Sequence, residues 1–259
     1  MILSGKTLLV CGVGPGLGRE VARCALRDGA NLVLGARNPA KLEALAKELD
    51  PSGRRVASRA TDTTDAGDCE ALARAAAERF GALDALVQVA ALDAVFGGLA
   101  EIDFEDWRRT YETNVIGSVQ MIRAAVPHLE RAGGGSVVLI GSQASMLPLV
   151  PQMAYAASKG ALLSAMYHLA KELGGRRIRV NTVVPTWMWG PPVEGYLRAR
   201  AEQQGTTLEA QVREVTARMA IPEIPADEDV AEAAIFLASD RARMITGQSI
   251  LVNAGELMR

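Results

Sequence analysis

Residues 10–22 read VCGVGPGLGREVA, and this stretch decides the fold. It joins an apolar run to a charged segment of helical character, with glycine at positions 12, 14, 16 and 18. The dinucleotide fingerprint G-x-G-x-x-G requires a third glycine at the position of Leu17. Gly12, Gly16 and Gly18 instead fit G-x-x-x-G-x-G, which is one residue longer, and Gly14 is an additional glycine within that turn.

A glycine turn between a strand and a helix directs backbone N–H groups and the positive end of the helix at an anion. Gly12 lets the chain turn sharply, Gly16 permits the close approach of a pyrophosphate, and Gly18 lets the helix pack on the sheet. A glycine-rich connection without a ligand is the alternative, which the strand–turn–helix setting disfavours. The predicted cofactor contacts of the turn are Gly12, Gly14, Gly16, Leu17 and Gly18.

Short apolar runs alternate with longer amphipathic stretches along the rest of the chain. We predict strands at 6–11, 31–34, 55–60, 83–89, 135–142, 177–184 and 249–253. We predict helices at 17–28, 38–49, 65–81, 104–131, 152–173 and 227–239. Strands that are apolar nearly throughout and alternate with helices indicate a parallel sheet covered on both faces. The sequence therefore predicts an α/β protein: one doubly wound Rossmann-type domain over 1–259, with a mostly parallel, seven-stranded sheet.

Composition excludes several classes of protein. The net charge is −2 and 49% of the residues are hydrophobic, so no basic stripe for nucleic acid is expected. Cys11, Cys24 and Cys69 show no C-x-x-C spacing, which argues against disulfides and a metal site. The uncharged run 132–158 contains prolines and a glycine triplet, and the N-terminus resembles no signal peptide. We expect a cytoplasmic protein that does not bind membranes.

The end of the second predicted strand bears on the choice of cofactor. Residues 32–38 read LVLGARN and lack the acidic residue that usually binds the ribose 2′-hydroxyl of NAD. Arg37 is placed to meet a 2′-phosphate, which favours NADP(H), with NAD(H) as the alternative. The alternative is that Arg37 is an ordinary solvated arginine in a loop. Asp62, after the third strand, is a candidate acceptor for the adenine amino group, or else a helix cap.

The chemistry is predicted by Gly141-Ser142 and by YAASK at 155–159. Tyr155 and Lys159 are four residues apart on one helix face, so the ammonium can approach the phenol. A nearby cation lowers the pKa of a phenol toward the range that acid–base catalysis needs. A serine at a strand end, Ser142, can then hold the substrate oxygen. Y-x-x-x-K alone is weak evidence, whereas Ser-x12-Tyr-x3-Lys downstream of a glycine turn is strong.

These motifs resemble those of the short-chain dehydrogenase/reductase family over essentially the whole chain. The matching segments are CGVGPGLG (11–18), Asp62, TNVIG (113–117), GSQAS (141–145), YAASK (155–159), RVNTVVP (179–185) and TGQSILVNAG (246–255). The resemblance implies that Tyr155 is the general acid/base and that Ser142 orients the carbonyl or hydroxyl group. It implies that Lys159 binds the nicotinamide ribose and depresses the pKa of Tyr155. It also implies that the backbone of Asn114 holds a water linking Lys159 to solvent.

The chain departs from the family pattern at several cofactor positions. Cys11 stands for the usual threonine before the first glycine, and residues 88–91, QVAA, replace Asn-Asn-Ala-Gly. Thr186 replaces the glycine of Pro-Gly, and Gly190 replaces a threonine that contacts the carboxamide. The remaining cofactor contacts implied by the resemblance are Ala90, Ala91, Pro185 and Trp187, together with Tyr155 and Lys159.

Residues 186–224 are expected to form a mobile lid over the substrate. Trp187, Trp189 and Tyr196 concentrate aromatic area there in a chain with only 4% aromatic residues, which favours an apolar or ring-containing substrate. Simple packing of the lid onto the domain is the alternative. The predicted substrate pocket consists of Ser142, Ser145, Leu147, Tyr155, Trp187, Trp189 and Tyr196, and Val95 and Phe96 are placed to complete it.

The resulting functional hypothesis is an NAD(P)(H)-dependent oxidoreductase that interconverts a secondary alcohol and a ketone. A 3-oxoacyl-carrier reductase and a catalytically silent nucleotide-sensing scaffold are the alternatives. The helix after Lys159 carries Leu162, Leu163, Met166 and Leu169, more apolar surface than one sheet face needs. Since the family commonly pairs this helix and the one before it across a two-fold axis, we expect a homodimer or homotetramer.

Overall fold

A computed structural model of the chain describes residues 1–258, and its centre is a seven-stranded parallel sheet. The strand order is β3-β2-β1-β4-β5-β6-β7, which confirms the predicted doubly wound fold. The strands are β1 (Thr7–Cys11), β2 (Asn31–Ala36), β3 (Val56–Ala60), β4 (Ala85–Gln88), β5 (Gly135–Ile140), β6 (Ile178–Pro185) and β7 (Ser249–Val252). The β5 strand ends at Ile140, before the predicted end, so Ser142 lies in the loop that follows.

Nine α-helices connect the strands in the described part of the chain. They are α1 (Leu17–Arg27), α2 (Pro39–Leu49), α3 (Ala66–Phe80), α4 (Phe104–Tyr111), α5 (Gly117–Arg131), α6 (Met153–Leu173), α7 (Pro191–Gln204), α8 (Leu208–Thr216) and α9 (Asp227–Ala238). The region predicted as a lid contains α7 and α8. None of the helices described is both long and apolar enough to cross a membrane.

The single helix predicted over 104–131 is interrupted by a π-helical segment, Glu112–Ile116. There the Gly117 N–H bonds to the carbonyl of Glu112, five residues earlier. The side chain of Asn114 lies inside this segment and bonds to the backbone of Leu92 after β4. A π-turn inserts one extra residue into a helix and marks functional sites more often than ordinary helical turns do. Hydrophobic periodicity does not report such an insertion.

Successive residues of β1 point to opposite faces of the sheet, and both faces are covered by helices. Leu8 and Val10 pack with α1, α2 and α9, whereas Leu9 and Cys11 pack with α3, α5 and α6. Cys11 is buried in the second cluster, where it serves as a small apolar side chain. Burial raises the pKa of its thiol well above the ordinary value, so the group stays protonated.

The seam between α1 and α9 brings together Cys24, Glu228 and Glu232, a set of side chains able to ligate a metal. Both carboxylates are already engaged there. Arg23 forms an ion pair of 2.7 Å with Glu228, and Arg27 pairs with Glu232. The seam is therefore an ion-paired helix contact.

Candidate active site

The carboxyl ends of the parallel strands lie at one edge of the sheet, where doubly wound proteins bind their ligands. The glycine turn follows β1, and Arg37 follows β2. Ser142 comes two residues after β5, and Thr186 directly follows β6. The fold thus gathers the predicted cofactor and catalytic residues at a single edge.

The glycine turn contains two glycines that packing requires. Gly12 has φ 100°, and a Cβ on it would lie 2.1 Å from the backbone nitrogen of Ala90. A Cβ on Gly18 would lie 2.4 Å from the Gly12 carbonyl oxygen, so this glycine packs against the turn itself. The sequence pattern had predicted that Gly18 lets the helix pack on the sheet.

The other two glycines of the turn are less crowded. A Cβ on Gly14 would meet nothing within 4 Å, and Gly16, with φ 133°, begins α1 without a side-chain cap. An uncapped helix start leaves backbone N–H groups free for an anion. The turn therefore fits the pyrophosphate of a dinucleotide, and Ala90, just after β4, packs against it.

The carboxylate of Asp227, at the start of α9, also lies beside the turn. One of its oxygens is 3.5 Å from the position that a Cβ on Gly16 would take. Burial and the neighbouring Glu20 raise the pKa of Asp227. A negative charge here opposes an anion at the same turn, and protonation of Asp227 removes that repulsion.

Arg37 and Asp62 lie at the far end of this edge, after β2 and β3. Arg37 is exposed and forms no ion pair within residues 1–258. Asp62 accepts hydrogen bonds from the backbone N–H of Thr64 at 3.0 Å and from its hydroxyl at 2.8 Å. These bonds, and the charge of Arg37, lower the pKa of Asp62. Asp65, rather than Asp62, caps the following helix α3.

Ser142 and Tyr155 face each other from the β5–α6 connection and the first turn of α6. The Ser142 hydroxyl accepts a hydrogen bond from the Ala144 N–H at 3.1 Å, which fixes the turn after the strand. Burial raises the pKa of Tyr155 to about 12, and its interaction with the Ser142 hydroxyl acts in the opposite direction. Asp93 contributes a further increase.

Lys159 is buried one turn further along α6. Its ammonium donates a hydrogen bond of 2.7 Å to the carbonyl of Ile140 and lies 5.6 Å from the centre of the Tyr155 ring. Burial lowers the pKa of Lys159 to about 8. The expected depression of the Tyr155 pKa by Lys159 is not seen in this structure, since burial raises that pKa and the Lys159 ammonium bonds to a backbone carbonyl.

Asn114 connects the π-helical segment to the loop after β4 and to α6. Its amide oxygen accepts from the Leu92 N–H at 2.6 Å, and its amide nitrogen donates to the Leu92 carbonyl at 3.0 Å. The same nitrogen donates to the Ser158 hydroxyl at 2.9 Å. The Asn114 carbonyl accepts from the Ser118 hydroxyl at 2.7 Å. Its role in holding a water for Lys159 stays a prediction.

A cavity of about 440 Å³ opens beside Ser142 and Tyr155. Of the predicted pocket residues, Ser142, Leu147, Tyr155, Trp187 and Tyr196 line it. Ser145 and Trp189 are not among its lining residues, and their place in a substrate pocket stays a prediction. The Ser145 hydroxyl donates to the Ser142 carbonyl at 2.8 Å, and the Trp189 backbone pairs with the segment preceding α9.

Three aromatic side chains form one wall of this cavity, which we call the aromatic wall: Phe96, Trp187 and Tyr196. The Phe96 and Tyr196 rings stack with centres 6.5 Å apart, and Trp187 is 5.8 Å from Tyr196. Stacked contacts of this kind stabilise by more than their buried area alone. The wall links the loop after β4 to the start of α7.

A polar network lies behind the cavity, and the sequence motifs do not predict it. The Glu256 side chain has no exposed area and accepts hydrogen bonds from the Gln143 amide at 2.8 Å and from the Thr186 hydroxyl. Arg218, after α8, pairs with it at 3.0 Å. Asn253 donates to the Gln143 oxygen at 2.6 Å. The TGQSILVNAG motif ends next to Glu256, and no other sequence signal points to this contact.

The glycine turn, the buried lysine beside a tyrosine and the adjoining cavity define a Rossmann-type oxidoreductase that uses a dinucleotide. The sequence model of the family described as Enoyl-(Acyl carrier protein) reductase matches residues 12–256. The chain belongs to the short-chain dehydrogenase/reductase family.

Two relatives match nearly the whole chain. The D-threitol dehydrogenase of Mycolicibacterium smegmatis is 36% identical over 98% of this chain and 93% of its own. The dehydrogenase/reductase SDR family member 4 of Mus musculus is 32% identical over 98% and 88%.

Two solved structures are also similar to this protein over nearly the whole chain. A short-chain type dehydrogenase/reductase from Mycobacterium ulcerans has a TM-score of 0.90 at 31% identity, covering 99% of this chain and 91% of its own. A variant of actinorhodin polyketide ketoreductase with NADPH has a TM-score of 0.87 at 29% identity, covering 97% of each chain. These comparisons support an oxidoreductase that interconverts secondary alcohols and ketones.

Proposed function

We propose that this protein is an NADP(H)-dependent dehydrogenase/reductase in which Tyr155 is the general acid/base for a ketone or secondary alcohol. The observation that carries the proposal is the convergence of Ser142, Tyr155 and the buried Lys159 beside one cavity at the carboxyl edge of the sheet. A nucleotide-binding protein without chemistry would need neither a phenol facing the cavity nor a buried ammonium next to it.

The proposed roles of the three side chains are supported by their positions and by the resemblance to the family. In ketone reduction, the Tyr155 hydroxyl donates its proton to the substrate oxygen, and the Ser142 hydroxyl holds that oxygen by a hydrogen bond. The bound nicotinamide supplies the hydride, or accepts it in the reverse direction. Lys159 holds the nicotinamide ribose and places a positive charge near the phenolate that forms. In alcohol oxidation, the Tyr155 phenolate accepts the proton.

The preference for NADP(H) rests on Arg37. The residue is exposed at the end of β2, and no carboxylate stands in the β2 end to bind a ribose 2′-hydroxyl. A guanidinium is suited to a phosphate because it can donate two parallel hydrogen bonds. The crystal structure of the polyketide ketoreductase relative with NADPH is consistent with this assignment.

The cavity favours a substrate with an apolar or cyclic frame. The aromatic wall, together with Leu147 and Val193, surrounds the space next to Tyr155 with apolar groups. A 3-oxoacyl-carrier reductase is the second candidate, since the matching family model carries an acyl-carrier description. Among the described residues, no lysine or arginine lines the cavity, so nothing there would meet the phosphate of a carrier arm.

The proposal is tested by Tyr155→Phe. We expect the variant to lose about 10²- to 10⁴-fold in kcat/KM with ketones, because it removes the proton donor. Binding of NADPH, measured by the change in its fluorescence, should be retained. Tyr167→Phe is the matched control, since Tyr167 is exposed on the same helix α6. Ketone reduction by Tyr155→Phe at the wild-type rate would overturn the proposed role.

A further inference from the structure

The cavity beside Tyr155 carries a negative charge that the proposed chemistry does not use. Asp93, in the loop after β4, is the one charged residue among its lining residues within the described chain. Its carboxylate forms no hydrogen bond or ion pair with another residue of the described chain. The charged side chains nearby have other partners. Lys159 bonds to Ile140, and Glu256 is paired with Arg218.

The position of Asp93 is unfavourable for catalysis unless a positive charge accompanies the substrate. Its field raises the pKa of Tyr155, which disfavours the phenolate that must form in ketone reduction. A cation bound between Asp93 and the phenol would cancel this field. The same field raises the pKa of Lys159 and so favours its ammonium form, whereas its effect on Tyr155 is offset by a substrate that carries a cation.

The aromatic wall of the same cavity also suits a cation. Its three rings line the cavity together with Asp93. Aromatic faces attract ammonium groups through their quadrupoles, and quaternary ammonium ligands are recognised in this way. Because Asp93 is exposed to solvent, a neutral apolar substrate would use the rings and leave the carboxylate to water, whereas an anionic substrate would be repelled.

Resting on the function proposed above, we infer that Asp93 is a specificity-determining residue and that the preferred substrates are ketones or secondary alcohols bearing an ammonium group on an apolar frame. The ammonium group lies between the Asp93 carboxylate and the aromatic wall, while the carbonyl oxygen meets Ser142 and Tyr155. Substrates with a carboxylate or phosphate at the same place are disfavoured.

The inference is tested with three ketones of nearly equal shape: 4-(trimethylammonio)cyclohexanone, 4-tert-butylcyclohexanone and 4-oxocyclohexanecarboxylate. For the wild-type protein we expect kcat/KM to be about tenfold higher for the cation than for the neutral ketone, and lowest for the anion. In Asp93→Asn the cation should lose about tenfold, the neutral ketone should change little, and the anion should improve. Phe96→Leu should lower the ratio of kcat/KM for the cationic ketone to that for the neutral ketone by about threefold, because leucine keeps an apolar contact and removes the ring quadrupole.

The matched control is Glu105→Gln, which removes a carboxylate on the neighbouring helix α4 that is not among the cavity-lining residues. It should leave the order of the three ketones unchanged. Equal kcat/KM for all three ketones in the wild-type protein, or an unchanged order in Asp93→Asn, would overturn the inference and leave the proposed reaction standing. Calorimetric binding of the cationic ketone in preference to the neutral one, without turnover of any ketone, would support the inference and overturn the proposed reaction.

Discussion

At the residue scale, the proposed preference for NADP(H) depends on a single side chain, that of Arg37. We propose that the glycine turn binds the pyrophosphate common to NAD and NADP, which gives it no means of distinguishing them. We expect the distinguishing 2′-phosphate at the end of β2, where Arg37 is exposed and forms no ion pair within residues 1–258. The proposed cofactor preference therefore rests on a residue outside the turn that determines the fold.

We expect Arg37→Ala to weaken NADPH binding by about tenfold, because it removes a charge-assisted contact with the phosphate at an exposed site. NADH binding should stay unchanged, since NADH lacks that phosphate. Titration of both cofactors by fluorescence measures the two dissociation constants. Arg54→Ala, in the loop before β3, is the control and should change neither constant. Equal loss of affinity for NADH and NADPH would contradict the assignment.

At the scale of elements, the Glu256 network ties together three segments that are distant in sequence. The carboxylate bonds to Gln143, next to the proposed catalytic Ser142, and to Thr186 at the end of β6. Arg218 brings the chain after α8 to the same point. We regard Glu256 as a positioning residue, because it reaches the cavity only through the side chains that it holds.

We expect Glu256→Gln to lower the free energy of unfolding by about 2 kcal/mol, since it weakens a charge-assisted bond at a fully buried side chain. It should also lower kcat more than it changes KM, because Gln143 and Thr186 border the reacting groups. Thermal unfolding and steady-state kinetics measure the two effects. Glu223→Gln, on an exposed carboxylate shortly after Arg218 in the chain, is the control. A loss of stability with unchanged kcat would show that Glu256 has a structural role alone.

At the scale of the whole molecule, the apolar surface predicted to join subunits is partly internal. Leu162 and Met166 are buried in the core of the single chain. Ile116, Val119 and Tyr167 are apolar side chains that stay exposed on the π-helical segment, α5 and α6. We still propose a homodimer or homotetramer, now through these three residues, and a cytoplasmic location stays a prediction.

Light scattering coupled to size exclusion should give at least twice the mass of one chain for the wild-type protein. Val119→Glu combined with Tyr167→Glu should give the mass of one chain, because two buried charges would lie in the proposed interface. Met244→Glu is the control, since Met244 is an exposed apolar residue at another surface. A monomeric wild-type protein would refute the proposal.

The sequence by itself determined the order of the strands and of the helices outside the lid region, the parallel sheet and the residues at its carboxyl edge. These follow from local patterns: apolar runs, glycine at a strand–helix turn, and a tyrosine and lysine on one helix face. The same local patterns did not give the bounds of α7 and α8, and they did not reveal the π-helical segment around Asn114. Hydrophobic periodicity describes which face of an element is buried, and it does not describe contacts between elements.

Only the tertiary structure decided which side chains meet across the cavity. Asp93 and Phe96 lie in the loop after β4 and Tyr196 lies in α7, and Glu256 lies over a hundred residues from its partner Gln143. The tertiary structure also decided in which direction the pKa of Tyr155 shifts. The sequence motifs had predicted that Lys159 lowers this pKa. The spacing of two residues on a helix fixes their proximity, but the pKa of a phenol depends on burial by every element packed around it.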